Sequence, residues 1–412
     1  MGIFVSTDAF IEEGYSMEIR NYEEDKGKLV ENHFIGLCPS IQSTVERFVQ
    51  GVKEFPFENT TEENIRDFVC QSAEQLWNNA KEYVQSGTND DRPLYWARIK
   101  MEVALKNHFK SQMNGTSVIE NTELSRLIQL FEEKSRNYTG IDFTDIPESK
   151  KKIVITGFDP FGLDYNPAQN NPSGAVALAL HGTEISDNKG NIGVIQSMIY
   201  PVRYEDFDKG YVEQYIYPYI QNVDMIVTIS QGFKHYDIER FASKKRTSKT
   251  LDNLAQNKHI IYYNIENGIL TRVSYNDLPE FLETTLPKNS IVPGTLGNNI
   301  VVYNQFYFSS VKQKSWDWSY VLQKFVNEGT KDIQGPSLGE ISVEGSGGDF
   351  LSNEIFYRVS LLREQYNSTL KTGHLHLPII QSYPALFFSL QKTRTEVENT
   401  KIILQDALDG LS

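Results

Sequence analysis

The chain has 412 residues, enough for two or three domains at roughly 100–200 residues each. Its 39% hydrophobic and 23% charged content excludes a disordered or fibrous chain. Forty basic against 54 acidic side chains leave a net charge of −14, which argues against a nucleic-acid binder working by bulk charge.

The acidity is uneven. Residues 1–150 carry 26 acidic and 16 basic side chains, and residues 151–412 carry 28 and 24. The two cysteines, Cys38 and Cys70, allow no disulfide framework, so a reducing, cytoplasmic setting is expected. The opening MGIFVSTDAF has no basic region ahead of a long apolar one, and no run of about 18 apolar residues follows, so neither a secretory signal nor a membrane span is expected.

Residues 1–35 show no clear pattern. From about Ser40 the periodicity becomes helical. Thr60 with Glu63 forms a capping box ahead of Ile65, Phe68, Val69, Ala73, Leu76 and Ala80, which recur at helical spacing and predict a core-facing helix. Further helical patterning runs over Leu94–Met113 and Glu123–Tyr138. Residues 1–138 are therefore expected to form a mainly helical N-terminal domain, and 139–150 a linker marked by Gly and Pro. Its acidity suits a basic protein partner, or serves solubility alone.

At Lys151 the character changes. The β-branched run Lys152–Thr156 predicts a strand, Ser173–His181 a helix, Ile195–Tyr200 a strand, Tyr204–Gln221 a helix and Met225–Ser230 a strand. Residues 246–312 interrupt the alternation and read as an insertion. It resumes with a helix near Trp316–Asn327, a strand near Glu340–Val343, a helix over Asn353–Gln365, a strand near His374–Ile379 and a closing helix near Glu396–Leu408. The expected fold class is α/β: a mostly parallel sheet flanked by helices, preceded by a smaller mainly helical domain.

Four segments could carry chemistry. Gly157-Phe158-Asp159-Pro160-Phe161-Gly162 follows a strand, where α/β proteins bind ligands; its rings either sandwich a flat ligand or plug the core. Gln231–Arg240 holds His235 and Glu239, a carboxylate able to orient a histidine or an ordinary surface acid. Glu344–Asn353 is a glycine loop that sets Ser352 at a helix start, where amides and dipole favour a developing anion. His374 and His376 lie two apart on a strand and so share a face: a metal pair, one catalytic His beside a bystander, or two structural rings. No nearby carboxylate or cysteine completes a zinc pattern.

In this order the four segments resemble the pyroglutamyl peptidase I family of cysteine peptidases. Asn171-Pro172-Ser173, Pro201-Val202 with Phe207, and Ile238–Ala242 resemble further segments of that family. The resemblance covers about 150–412 apart from 246–312. It implies His376 as general base, Glu239 as its orienting carboxylate, Phe158 and Phe161 flanking a pyrrolidone ring, and Gln231 near the ring's polar atoms. It also implies removal of an N-terminal pyroglutamate from peptides by acyl transfer, with no cofactor and no metal. The chain departs from the family at the nucleophile: Ser352 stands where the family has Cys, and a hydroxyl is far less acidic than a thiol. The loop before Glu239 is about two residues short, and Lys244 stands where the family usually has Asn. Three readings follow. Position 352 is naturally Cys and this chain is silenced; or the domain is a non-catalytic binding module for a blocked N-terminus; or Ser352 is a working nucleophile on another amide or lactam.

Overall fold

The computed structural model describes residues 21–54, 62–112, 122–257, 263–266, 269–272, 277–291, 294–296, 299–309, 334–380 and 386–411. The capping box at Thr60 and the helix expected at Trp316–Asn327 lie outside them.

Five helices come first: α1 (Tyr22–Gly36), α2 (Pro39–Glu54), α3 (Glu62–Tyr83), α4 (Arg92–Gln112) and α5 (Thr122–Ser135). Asn21 accepts from the Glu24 N–H and the Glu24 carboxylate accepts from the Asn21 N–H, a complete capping box that starts α1. The stripe read from Ile65 to Ala80 does face inward, with Val69, Ala73 and Leu76 fully buried.

The second part is a mixed α/β layer structure. Its strands include β1 (Lys151–Phe158), β2 (Glu184–Ser186), β3 (Ile192–Tyr200), β4 (Met225–Gln231) and β5 (Tyr236–Glu239). After β6 (Phe241–Ser243), β7 (Tyr263–Glu266), β8 (Ile269–Arg272) and β9 (Phe281–Glu283) come β10 (Gly294–Leu296), β11 (Asn299–Asn304), β12 (Phe308–Ser309), β13 (Ser342–Glu344) and β14 (Lys371–Leu377). Eight of them form one sheet in the order β10-β11-β5-β14-β4-β1-β3-β2. The centre, β14-β4-β1-β3, is parallel, while β5 runs antiparallel to β14 and the outermost pairings are antiparallel.

Helices cover both faces. On one side α6 (Pro172–Leu180) and α10 (Leu386–Asp409) pack over Ile155, Ile195, Val227, Ile229, Ile238 and Leu375. On the other, α7 (Tyr204–Asp208), α8 (Tyr211–Ile216) and α9 (Leu351–Tyr366) pack over Val154, Phe158, Met198 and Ile226. Each buried aliphatic side chain of this kind contributes about 1.5–3 kcal/mol by leaving water. Asn171 caps α6 and Pro172 pre-sets its first turn. Gly157 lets β1 pass so close to that turn that a Cβ would run into the Ser173 carbonyl.

The structure departs from the pattern reading in three places. The helix expected over Tyr204–Gln221 is broken between α7 and α8 at Gly210, whose φ of 78° is left-handed. Within 246–312, β11 pairs in parallel with β5 and β10 pairs with β11, so this stretch extends the main sheet at one edge. The strand near Glu340 is β13, which pairs with β12 outside that sheet.

Charge, not only apolar contact, joins the helices to the sheet. Asp159, just past β1, accepts from Arg98 of α4 at 2.9 Å and from Arg136, just past α5, at 2.6 Å. Arg203 bridges Glu132 of α5 at 2.8 Å and Asp206 of α7 at 2.7 Å. All these side chains are buried. Burial would raise the Glu132 pKa, but Arg136, Arg203 and Arg98 outweigh it and hold the carboxyl well below its usual range. Its neighbour Glu102 is pushed well up by burial and by the Glu132 charge. Removing one partner from such a network strands buried charge. Asp159→Ala is therefore expected to cost about 3–5 kcal/mol in denaturant unfolding, and a loss under 1 kcal/mol would show that Arg98 and Arg136 find other partners.

Candidate functional site

The site lies where β4, β5 and β14 end. Alternation on each strand sends Thr228, Ser230, His374, His376, Asp237 and Glu239 to the α9 face, and the register sets His374 opposite Glu239 and His376 opposite Asp237. Polar side chains thus gather on this face where the three strands end.

His376 and Glu239 meet directly. The imidazole Nδ1 lies 2.6 Å from Glu239 Oε1, with Glu239 only 1% exposed. Nε2 has no hydrogen-bond partner among the described residues, and the ring keeps 12% side-chain exposure. Burial pushes the His376 pKa down to about 4. Burial, then the charge of Asp237, pushes Glu239 well above the usual carboxylate range, against an opposing pull from the Asn304 amide. When the pair carries one negative charge, Nδ1–H donates to Glu239 and Nε2 is a free base.

His374 plays no such part. Thr228 spends its hydroxyl proton on the Gly373 carbonyl at 3.1 Å, so the His374 Nδ1–H must donate to Thr228 Oγ1 at 2.8 Å. Nε2 then accepts from the Ser230 hydroxyl at 2.8 Å. Both nitrogens are used, burial holds the pKa well down, and the ring buttresses His376 edge-on at 4.7 Å between centroids. Its two hydrogen bonds make His374 a structural ring.

The glycine loop sits against the pair. A Cβ on Gly347 would lie 3.8 Å from Glu239 Cγ, and the Gly347 carbonyl accepts from the Ser352 hydroxyl at 3.1 Å. Ser352 is the second residue of α9, whose N-cap Phe350 makes no side-chain cap, so the first-turn N–H groups stay available to an anion. The loop is fixed from both ends. Asn304 donates to the Ser346 carbonyl at 3.0 Å, and Asn353 exchanges hydrogen bonds with Ser243 N–H and C=O at 2.9 Å each. Ser352 makes no hydrogen bond to His376 as the chain stands; its proton goes to Gly347.

The remaining sequence-derived residues divide. Gln231 ends β4 with its Oε1 buried and unpartnered, and the next residue, Gly232, passes so close that a Cβ there would lie 2.7 Å from His376 Cβ. Phe161 stands at the surface side of the site, 5.4 Å from Phe350. Phe158 takes the other alternative, the core plug: it is 3% exposed and stacked on Phe207, which removes it from a ring-flanking place. Lys244, which stands where the family usually has Asn, is internal and pairs with Glu280, and nearby Arg246 pairs with Glu354 at 2.6 Å and Asp208 at 2.9 Å. Cys38 and Cys70 are free thiols in the helical part.

Sequence reasoning passed over Asp237 and Asn304. Asp237 is two residues from Glu239 on one strand, so the period of two could have flagged it. It makes no hydrogen bond among the described residues, and burial lifts its pKa to about 7.

Comparison with known proteins gives the following. The "PA0049, C-terminal domain" family model matches residues 152–259 and 299–381, and the "PA0049 N-terminal domain" model matches 39–132. An uncharacterized protein, PA0049, of Pseudomonas aeruginosa is 24% identical over 367 residues; the match covers 72% of this chain and 64% of that protein, so the chain spans less than two thirds of its relative's length. Among solved structures, pyroglutamyl peptidase I of Bacillus amyloliquefaciens aligns at TM-score 0.37 and 19% identity, over 63% of this chain and 98% of that one. Pyrrolidone carboxyl peptidase of Thermococcus litoralis aligns at TM-score 0.35 and 17% identity, over 63% and 94%. No helix among the described residues is long and apolar enough to cross a membrane.

Asp237 gives a direct test of the electrostatics. Its charge holds the Glu239 pKa up, so Asp237→Asn should let the Glu239–His376 pair lose its proton at lower pH. Following the His376 ring proton by NMR over pH 4–9 reads this midpoint. A midpoint that stays fixed or rises would overturn it.

Proposed function

We propose that this chain carries an acyl-transfer site of the pyroglutamyl peptidase kind. It takes a peptide blocked by an N-terminal pyroglutamate, and Ser352 in place of a thiol leaves it slow or inert. The observation that carries this reading is the buried Glu239–His376 pair, with Nε2 unbonded, beside an uncapped helix start.

The residues divide the work as follows. Glu239 holds Nδ1–H. Nε2 takes the proton of the group at 352, which attacks the pyroglutamyl carbonyl. The first-turn N–H groups of α9 receive the oxyanion, and His376 returns the proton to the leaving amine. Water then repeats the sequence on the acyl intermediate and frees pyroglutamate. No cofactor enters any step.

A second reading has its own support. Ser352 donates to Gly347 and not to His376, which supports a binding site without turnover.

Turnover of a fluorogenic pyroglutamyl amide by this chain and by Ser352→Cys separates the readings. Activity in the Cys form alone is the expected result, with His376→Gln in that form cutting turnover by about 100-fold or more. Activity in both forms would make Ser352 a working nucleophile. Pyroglutamyl peptide binding without turnover in either form would favour the binding module. Neither binding nor turnover would sink the proposal.

A further inference from the structure

A cleft of about 400 Å³ opens beside the candidate site, between α1 and the loops that follow β1 and β6. Its walls are Tyr22 and Lys26 from α1, Phe161 and Asp164 from the β1 loop, and Lys249 and Leu251 from the other loop. The volume falls within the roughly 300–1,000 Å³ typical of small-ligand sites.

Two contacts join the cleft to the glycine loop. Phe161 packs 5.4 Å from Phe350, two residues before Ser352. On the opposite wall, the Ser248 N–H donates to the Asp349 carbonyl at 3.2 Å. The cleft therefore borders the segment that leads into Ser352.

Its surface is unusual in two respects. Of the nine large hydrophobic side chains exposed among the described residues, three line this one cleft: Tyr22, Leu251 and Tyr165, the last 96% exposed. Water-facing apolar area gathered in one concave place marks a binding surface. The charges are also unequal in availability. Asp164 accepts from Tyr22 at 2.7 Å and pairs with Lys26 at 2.9 Å. Asp252 accepts from the N–H groups of Tyr204, Leu254 and Gln256. The Lys249 ammonium has no hydrogen bond or ion pair among the described residues, so the cleft offers one free cation on an apolar rim.

We infer that this cleft receives the peptide that follows the scissile amide, and that it selects a short chain with an apolar residue and a carboxylate within reach of Lys249. The helical N-terminal part supplies one wall through Tyr22 and Lys26, and so helps to choose the substrate. The inference rests on the acyl-transfer reading for the direction of the bound peptide.

Two measurements test it separately from that reading. Binding of labelled unblocked peptides, Leu-Phe-Glu and Leu-Phe-Lys, is compared in this chain and in Lys249→Glu. The acidic peptide should bind the unaltered chain more tightly, and Lys249→Glu should weaken it about tenfold while favouring the basic one. In Ser352→Cys, the same Lys249→Glu change should lower kcat/KM for pyroglutamyl-Leu-Phe-Glu relative to that for pyroglutamyl-Leu-Phe-Lys. Equal binding of the two peptides, or indifference to Lys249→Glu, overturns the inference. Selective peptide binding with no pyroglutamyl turnover keeps the cleft and removes the acyl-transfer reading instead.

Discussion

The carboxylate of Asp159 holds the molecule's two parts together. It belongs to the loop that leaves the central strand, and it is gripped by guanidinium groups from two helices of the N-terminal part. That grip forces a common interior. Leu163, Ala177, Leu178 and Ile199 of the α/β part pack in the same apolar cluster as Phe48, Trp96 and Phe131 of the helices. The neighbouring backbone is tied down as well, since Asn171 donates to the Asp159 carbonyl and Asn253 to that of Pro160. The loop bearing Phe161 thus takes its shape from residues on both sides of it in the chain, from Arg98, 61 positions before Asp159, to Asn253, 93 after Pro160.

The parts legible in the sequence are those governed by local rules. The apolar runs of β1 and β4, the Asn-Pro start of α6 and the glycine loop before α9 each declare themselves within about ten residues. The Glu239–His376 pair was reachable only through the order of motifs, because 137 positions separate the two residues. What was not legible depends on long-range pairing. Nothing in Asn299–Asn304 announces a parallel partner in β5, so Asn304 was not seen as a neighbour of Glu239. Arg98, Arg136 and Arg203 look like ordinary surface charges until folding buries them. Phe158 and Phe161 are three apart in one motif, yet one ends a strand inside the core and the other stands at the cleft.

The same contrast separates the two histidines. Both point from β14 to the same face, two residues apart. His374 is held by two hydroxyls that a neighbouring strand presents in register, and nothing is left over. His376 is one pair closer to the strand end, where the facing strand offers a buried carboxylate and the second nitrogen has no hydrogen-bond partner among the described residues. Position along a ladder, rather than residue type, sets which ring has both nitrogens bonded and which pairs with a carboxylate.

The amide of Asn353 has a kinetic meaning for its neighbour. It grips both backbone groups of Ser243, so the first turn of α9 moves only if β6 moves with it. Ser352 therefore rides on a fixed backbone, and its freedom reduces to rotation about χ1. Leaving Gly347 for another rotamer is a local hop of a single hydroxyl, a motion of picoseconds to nanoseconds. A hinge or domain closure would be slower by orders of magnitude, and this site does not need one to change its hydrogen-bond partner.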